Sequence, residues 1–123
     1  MKIKVYIASP YTLGDVAVNV KNQIDAANEL LELGYLPYTP LMCHFHHMIH
    51  PQPYDTWTMF SMEWLKICDA VLRLAGESKG AAAEVFMAYQ LGIPVFTSLV
   101  ELNKHFKVII KVEGEILKTD RVV

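Results

Sequence analysis

The sequence is short of the features that mark secreted scaffolds, membrane proteins and binders of duplex nucleic acid. Its 123 residues include only two cysteines, Cys43 and Cys68. They form no CxxC pair and are too few for a disulfide framework, so reduced thiols are expected. Eleven Lys and Arg stand against thirteen Asp and Glu, a formal net charge of -2. With no basic block, the electrostatic footprint of a duplex nucleic-acid binder is missing. No stretch approaches the roughly 20 apolar residues of a membrane-spanning helix, so no membrane partner is expected. The opening MKIKVYIASP has an apolar run too short for a signal peptide. It reads as a first strand, and a cytoplasmic location is expected. There is no internal repeat and no low-complexity segment.

What is present belongs to an ordinary folded protein. The composition is 53% hydrophobic and 20% charged, and the length fits a single domain over residues 1–123. Lys4 to Ala8, rich in β-branched and aromatic residues, reads as a buried strand, followed by a loop from Ser9 to Gly14. A helix is expected from Asp15, its N-cap, to Leu33, with Gly34 at C′. Val20, Ile24, Ala27 and Leu31 give it an apolar face. Tyr35 to Tyr38 is a second strand, stopped by Pro40. Leu41 to Tyr54 reads as an irregular excursion with one helical turn near His44 to Ile49. A helix over Thr56 to Cys68, capped by Thr56, precedes a third strand from Asp69 to Leu74. After a loop from Ala75 to Gly80 come a helix from Ala81 to Leu91, closed by Gly92, and a fourth strand from Ile93 to Phe96. A short helix runs from Ser98 to Phe106. A fifth strand is expected over Val108 to Val112, and the tail turns at Glu113-Gly114 to return as an edge strand.

Strands alternating with helices imply an α/β fold: a flavodoxin/Rossmann-like three-layer sandwich around a five-stranded, mostly parallel sheet in the order 2-1-3-4-5. In such sheets ligands bind beyond the carboxyl ends of the strands, where the strand order switches. The loops after the first and third strands converge there. One carries Ser9, Pro10 and Tyr11; the other carries Gly76, Ser78, Lys79 and Gly80 and leads straight into a helix. First-turn N–H groups, the helix dipole and the Ser78 hydroxyl suit an anion. Ser78 also has the simpler reading of an N-cap. The loop is not a GxxxxGK[ST] phosphate loop, because its lysine precedes the glycine. Glu84 lies one turn into that helix, beside an apolar stripe of Ala81, Val85 and Ala88. It either complements the dipole or faces the ligand; burial would raise its pKa and the helix start would lower it.

These segments resemble a known group. VYIASPY, EWLKICDAVLRL and SKGAAAEVFMA together are similar to the nucleoside 2-deoxyribosyltransferase-like superfamily, over roughly residues 4 to 97. That superfamily includes deoxynucleoside 5′-monophosphate N-glycosidases and bacterial and phage proteins with an SPYT-like motif, to which this chain looks closest. The resemblance implies that Glu84 is a covalent nucleophile, that Ser78 contacts a 5′-phosphate, and that Tyr6 stands at the glycosidic site. Tyr6 reads equally well as a core aromatic. One position departs from the family pattern. An aspartate usually lies three residues before the WL of the helix preceding the third strand, and here that residue is Ser61. Asp55 and Glu63 are the nearby carboxylates that could protonate the departing base.

The implied activity is cleavage of an N-glycosidic bond, or 2-deoxyribosyl transfer, on a nucleoside or nucleoside 5′-monophosphate through a glycosyl-glutamate intermediate. No cofactor is implied. The resemblance also implies a homodimer or larger homo-oligomer. The alternative is a non-catalytic nucleotide-binding or sensor module of the same fold. Cys43, His44, His46, His47 and His50 raise the thought of a metal hydrolase. With no carboxylate in that run and no HExxH, the segment reads as a lid whose His44 and His47 meet the ligand, and no metal is expected. Trp57, Phe60 and Trp64 read as packing residues, with Trp57 also placed to stack on a base.

Overall fold

The computed structural model describes residues 2–107. In order these form β1 (Lys4–Ala8), α1 (Val16–Glu32), β2 (Leu36–Tyr38), a 3-10 turn (Pro40–Met42), α2 (Cys43–Ile49), α3 (Tyr54–Leu65), β3 (Ala70–Arg73), α4 (Lys79–Gln90) and β4 (Val95–Phe96). A further helix, α5, covers residues 99–107. The expected fifth strand over Val108 to Val112 and the returning edge strand lie outside the described residues.

Among the described residues the sheet has four strands in the order β2-β1-β3-β4, all parallel. Tyr6 is in register with Val71, Ile7 with Leu72 and Ala8 with Arg73. Successive side chains of a strand point to opposite faces, so β1 serves two cores. Val5 and Ile7 pack with Ala27 and Leu30 of α1 and Leu102 and Phe106 of α5. Tyr6 and Ala8 pack with Leu65 of α3 and Ala81 and Ala88 of α4. The result is a three-layer α/β sandwich. Each fully buried Leu or Ile contributes roughly 1.5–3 kcal/mol relative to an exposed one.

The helix ends follow local chemistry. Asp15 caps α1, its Oδ1 accepting from the Val18 N–H at 3.1 Å. At the other end Gly34, at φ 93°, lets the Tyr35 N–H reach the Leu30 carbonyl at 2.9 Å and the Gly34 N–H reach that of Leu31 at 3.0 Å. This double closure satisfies carbonyls that a bare helix end would leave open.

Several expectations need correction. The buried stripe of α1 is Val20, Gln23, Ala27 and Leu30, whereas Ile24 and Leu31 are exposed. The excursion after β2 is more helical than expected, because Pro40 starts a 3-10 turn that runs directly into α2. α3 begins at Tyr54, and Thr56 lies inside it. Pro53, extended at ψ 150°, is the residue before the helix, and its carbonyl accepts from the Thr56 N–H. α3 ends at Leu65, where the Ile67 and Cys68 N–H groups tighten onto Trp64 and Leu65 and turn the chain toward β3. None of the helices among the described residues is long and apolar enough to cross a membrane.

Candidate active site

The loops after β1 and β3 meet beyond the carboxyl ends of the two central strands. Gly76 packs directly against Pro10, and an added β-carbon there would lie 2.6 Å from Pro10 Cγ. Arg73, the last residue of β3, braces the second loop by donating to the carbonyls of Leu74 and Gly76. Gln23 braces the first. It is fully buried, its Nε2 donates to Ile7 O and Ser9 Oγ, and its Oε1 accepts from the Leu41 N–H at 2.9 Å. One side chain thus ties the end of β1, the loop serine and the 3-10 turn together.

Between these loops, α3 and α4 lies a cavity of about 260 Å³. Ser9 and Tyr11 contribute from the first loop, Pro40, Leu41 and Cys43 from the segment after β2, and Tyr54, Trp57, Thr58, Ser61 and Met62 from α3. The start of α4 supplies Ser78, Lys79, Gly80, Ala81, Ala83 and Glu84. An apolar wall with a few convergent polar groups is the usual make-up of a small-molecule site. A second recess of about 300 Å³, lined by His44, His47 and Gln52, shares Tyr11, Cys43, Tyr54 and Trp57 with the first.

Glu84 is the acidic group of the cavity. Its position on α4 puts it on the same side as Ala81, which is buried against the sheet. Its Oε2 is buried without a hydrogen-bond partner. Burial pushes its pKa up to about 7, while the Tyr6 hydroxyl and the Arg73 guanidinium pull the other way. Tyr6 lies beneath the cavity, with no exposure, and its hydroxyl likewise lacks a formed hydrogen bond. Burial, and then the Glu84 charge, push the Tyr6 pKa far upward, while the Ser61 side chain pulls it down. The two hydroxyls and the carboxylate are therefore close enough to sense one another.

Ser78 is the N-cap of α4, its Oγ accepting from the Ala81 N–H at 3.1 Å. Its hydroxyl proton remains free to donate, and the amides of Lys79 and Gly80 belong to the first turn, which has no internal partners of its own. The arrangement can hold an anion beside Glu84.

The remaining candidates fall elsewhere. Asp55 is an exposed first-turn residue of α3 and does not line the cavity. Glu63 points to solvent and is paired with Lys66 at 2.7 Å. Neither carboxylate faces the site as expected, because α3 presents Tyr54, Trp57, Thr58, Ser61 and Met62 inward, a stripe that excludes positions 55 and 63. Pro10 and Gly76 shape the loops without lining the cavity. His47 is held back from the main cavity, its Nδ1 accepting from Trp57 Nε1 at 2.9 Å and from the Gln52 N–H at 3.1 Å. His44 bonds through Nδ1 to the Tyr11 hydroxyl at 2.6 Å. No group of three or more potential metal ligands occurs among the described residues.

Three residues take places at the site that their sequence context does not assign them. Gln23 is a polar residue on the buried stripe of α1, and its spacing with Val20 and Ala27 was the available signal. Arg73 is the charged residue at the carboxyl end of a central strand, where ligands gather. Cys43, half-buried in the cavity wall with its thiol pKa raised by burial, carried no signal beyond its place in the histidine run.

Among solved structures, the 2-deoxyribosyltransferase of the psychrotolerant bacterium Bacillus psychrosaccharolyticus, described as a biocatalyst for synthesis of antiviral and antitumoral nucleosides, is similar to this chain. The TM-score is 0.55 at 25% identity, over 75% of this chain and 69% of that one. The likeness supports a distant relationship to that fold. No curated protein matches the sequence. A family model described as a domain of unknown function, DUF7768, matches residues 3–98, and the chain belongs to that family.

Proposed function

We propose that the protein cleaves the N-glycosidic bond of a nucleoside or nucleoside 5′-monophosphate, or transfers its 2-deoxyribosyl group, with Glu84 as the covalent nucleophile. The observation that carries this reading is the Glu84 carboxylate. It lines a ligand-sized cavity at the switch point of the sheet, has an unpartnered oxygen, and is poised near neutrality. A nucleophile freed of water and of hydrogen bonds is a reactive one. The likeness to a 2-deoxyribosyltransferase supports the same chemistry.

Glu84 attacks C1′ of the sugar as the bond to the base nitrogen breaks, through an oxocarbenium-like transition state. The glycosyl ester so formed is resolved by water, giving hydrolysis, or by a second base, giving transfer. Ser78 and the first turn of α4 hold a 5′-hydroxyl or 5′-phosphate. Trp57 and Tyr54 flank the base, and Tyr6 and Ser61 orient the carboxylate. The function needs no cofactor. A homodimer or larger homo-oligomer fits the large apolar side chains left exposed on α3 and α4, among them Met59, Phe60, Trp64, Phe86 and Tyr89.

The test is incubation with a panel of deoxynucleosides, ribonucleosides and their 5′-monophosphates, followed by chromatography for free base. Base release by the wild type that falls at least ~10³-fold in Glu84→Ala supports the reading, since loss of a nucleophile removes most of the catalytic power. Tight binding without release by the wild type favours the nucleotide-binding module instead.

A further inference from the structure

We propose that Tyr11 is the general acid that protonates the departing base, with His44 holding its hydroxyl and supporting the phenolate that results. The assignment rests on the glycosyl-transfer reading above and names the proton source that reading lacks. The α3 carboxylates do not supply it. Asp55 is exposed, Glu63 is paired with Lys66, and α3 turns Ser61 into the cavity instead.

Tyr11 lines both the Glu84 cavity and the adjoining recess. With the sugar over Glu84 and the base extending past Trp57 and Tyr54 into the recess, the bond that breaks lies at the junction of the two, and the Tyr11 ring stands there. Its hydroxyl is 2.6 Å from His44 Nδ1, a short contact for this pair of atoms. The tyrosine is fixed in place. Asn19 Nδ2 donates to the Tyr11 carbonyl at 2.9 Å and to that of Leu13 at 2.8 Å, and the His44 ring meets the phenol edge-on at 5.7 Å. The other titratable groups around this pair are Cys43 and His47 from α2 and Tyr54 from α3.

The proton inventory closes. In the first step a Glu84 oxygen bonds to C1′ and the C1′–N electron pair moves to the base, which takes the Tyr11 proton. The incipient phenolate is stabilised by the hydrogen bond it shares with His44 Nδ1, the imidazole nitrogen acting as donor. In the second step water attacks C1′ and Glu84 departs as carboxylate. The water proton passes to the Tyr11 phenolate, so the tyrosine ends as it began. Tyr11 is the catalytic residue; His44 acts through it.

The experiment compares two leaving groups. One is the neutral nucleoside best cleaved in the panel above, whose base needs a proton to depart. The other is N7-methyl-2′-deoxyguanosine, whose cationic base leaves as a neutral ring with no proton added. Tyr11→Phe keeps the ring in the cavity wall and removes only the hydroxyl. It is expected to lower kcat on the neutral nucleoside about 100-fold or more, the usual scale of general acid catalysis, while kcat on the N7-methyl substrate stays within about threefold. His44→Gln is expected to show the same selectivity to a smaller degree. Equal losses on both substrates, or no loss on either, overturn the assignment while leaving the glycosidase reading intact. A wild type that cleaves neither substrate overturns both. Thermal melts of each variant establish that it is folded.

Discussion

Gly76 approaches Pro10 so closely that a β-carbon on the glycine would stand 2.6 Å from the proline Cγ, and its φ of +121° is one that L side chains rarely adopt. The contact is where the two ligand-end loops touch. Gly76→Ala therefore meets both a steric and a conformational penalty. It is expected to destabilise the fold by about 1–3 kcal/mol, read as a lower urea midpoint with an unchanged slope. Base release should fall with it, because α4 and Glu84 follow this loop.

Glu84 makes stability depend on pH. Its folded pKa, about 7, lies above the ordinary value of 4.5, so the folded state binds the proton more tightly than the unfolded chain. The associated stabilisation is complete below about pH 4.5 and is lost as pH rises through about 7. At roughly 1.4 kcal/mol per pKa unit the loss is on the order of 3 kcal/mol. Glu84→Gln, neutral at every pH, escapes it. Thermal melts should show the variant more stable than wild type at pH 8, with the gap closing toward pH 5.

The same ionisation governs activity, since only the carboxylate is a nucleophile. kcat/KM for base release should climb as pH rises through about 7. The Arg73 guanidinium is one of the groups that hold this pKa down. Arg73→Met should therefore move the rising limb of the pH–rate profile to higher pH. A limb that stays in place would show that Arg73 acts only on the loop carbonyls.

Gln23 is fully buried and all of its polar atoms are used. Gln23→Leu suits the apolar surroundings but strands the Leu41 N–H and the Ser9 hydroxyl. With about 1–3 kcal/mol for each buried group left unsatisfied, the variant should lose more stability in chemical denaturation than an apolar replacement of a core leucine's neighbour would suggest. Released hold on Ser9 and Leu41 should also raise KM for the nucleoside.

Much of the architecture was legible because it is written in short-range patterns. The KVYIA run, the cap at Asp15, Gly34 and the alternation of strand with helix each reflect local backbone chemistry, and the parallel sheet with helices on both faces follows from them. The buried stripe of α1 departs from its apolar periodicity because a glutamine, Gln23, occupies one of the buried positions. Periodicity that counts only apolar residues shifts to Ile24 and Leu31 when a polar residue is buried. The placement of Glu84 beside an apolar wall was also visible, since positions 81, 84 and 88 share a helix side.

By itself, then, the amino-acid order determined most of the strands and helices, their parallel arrangement, and the two loops that meet beyond the carboxyl ends of the central strands. These depend on spacing and capping within a few residues. Only the tertiary structure decided which acids face the cavity, that Gln23 and Arg73 brace its rims, and that Tyr11 meets His44. Those outcomes depend on how α2 and α3 rotate against the sheet. That rotation is fixed by packing between residues far apart in the chain, which no local pattern encodes.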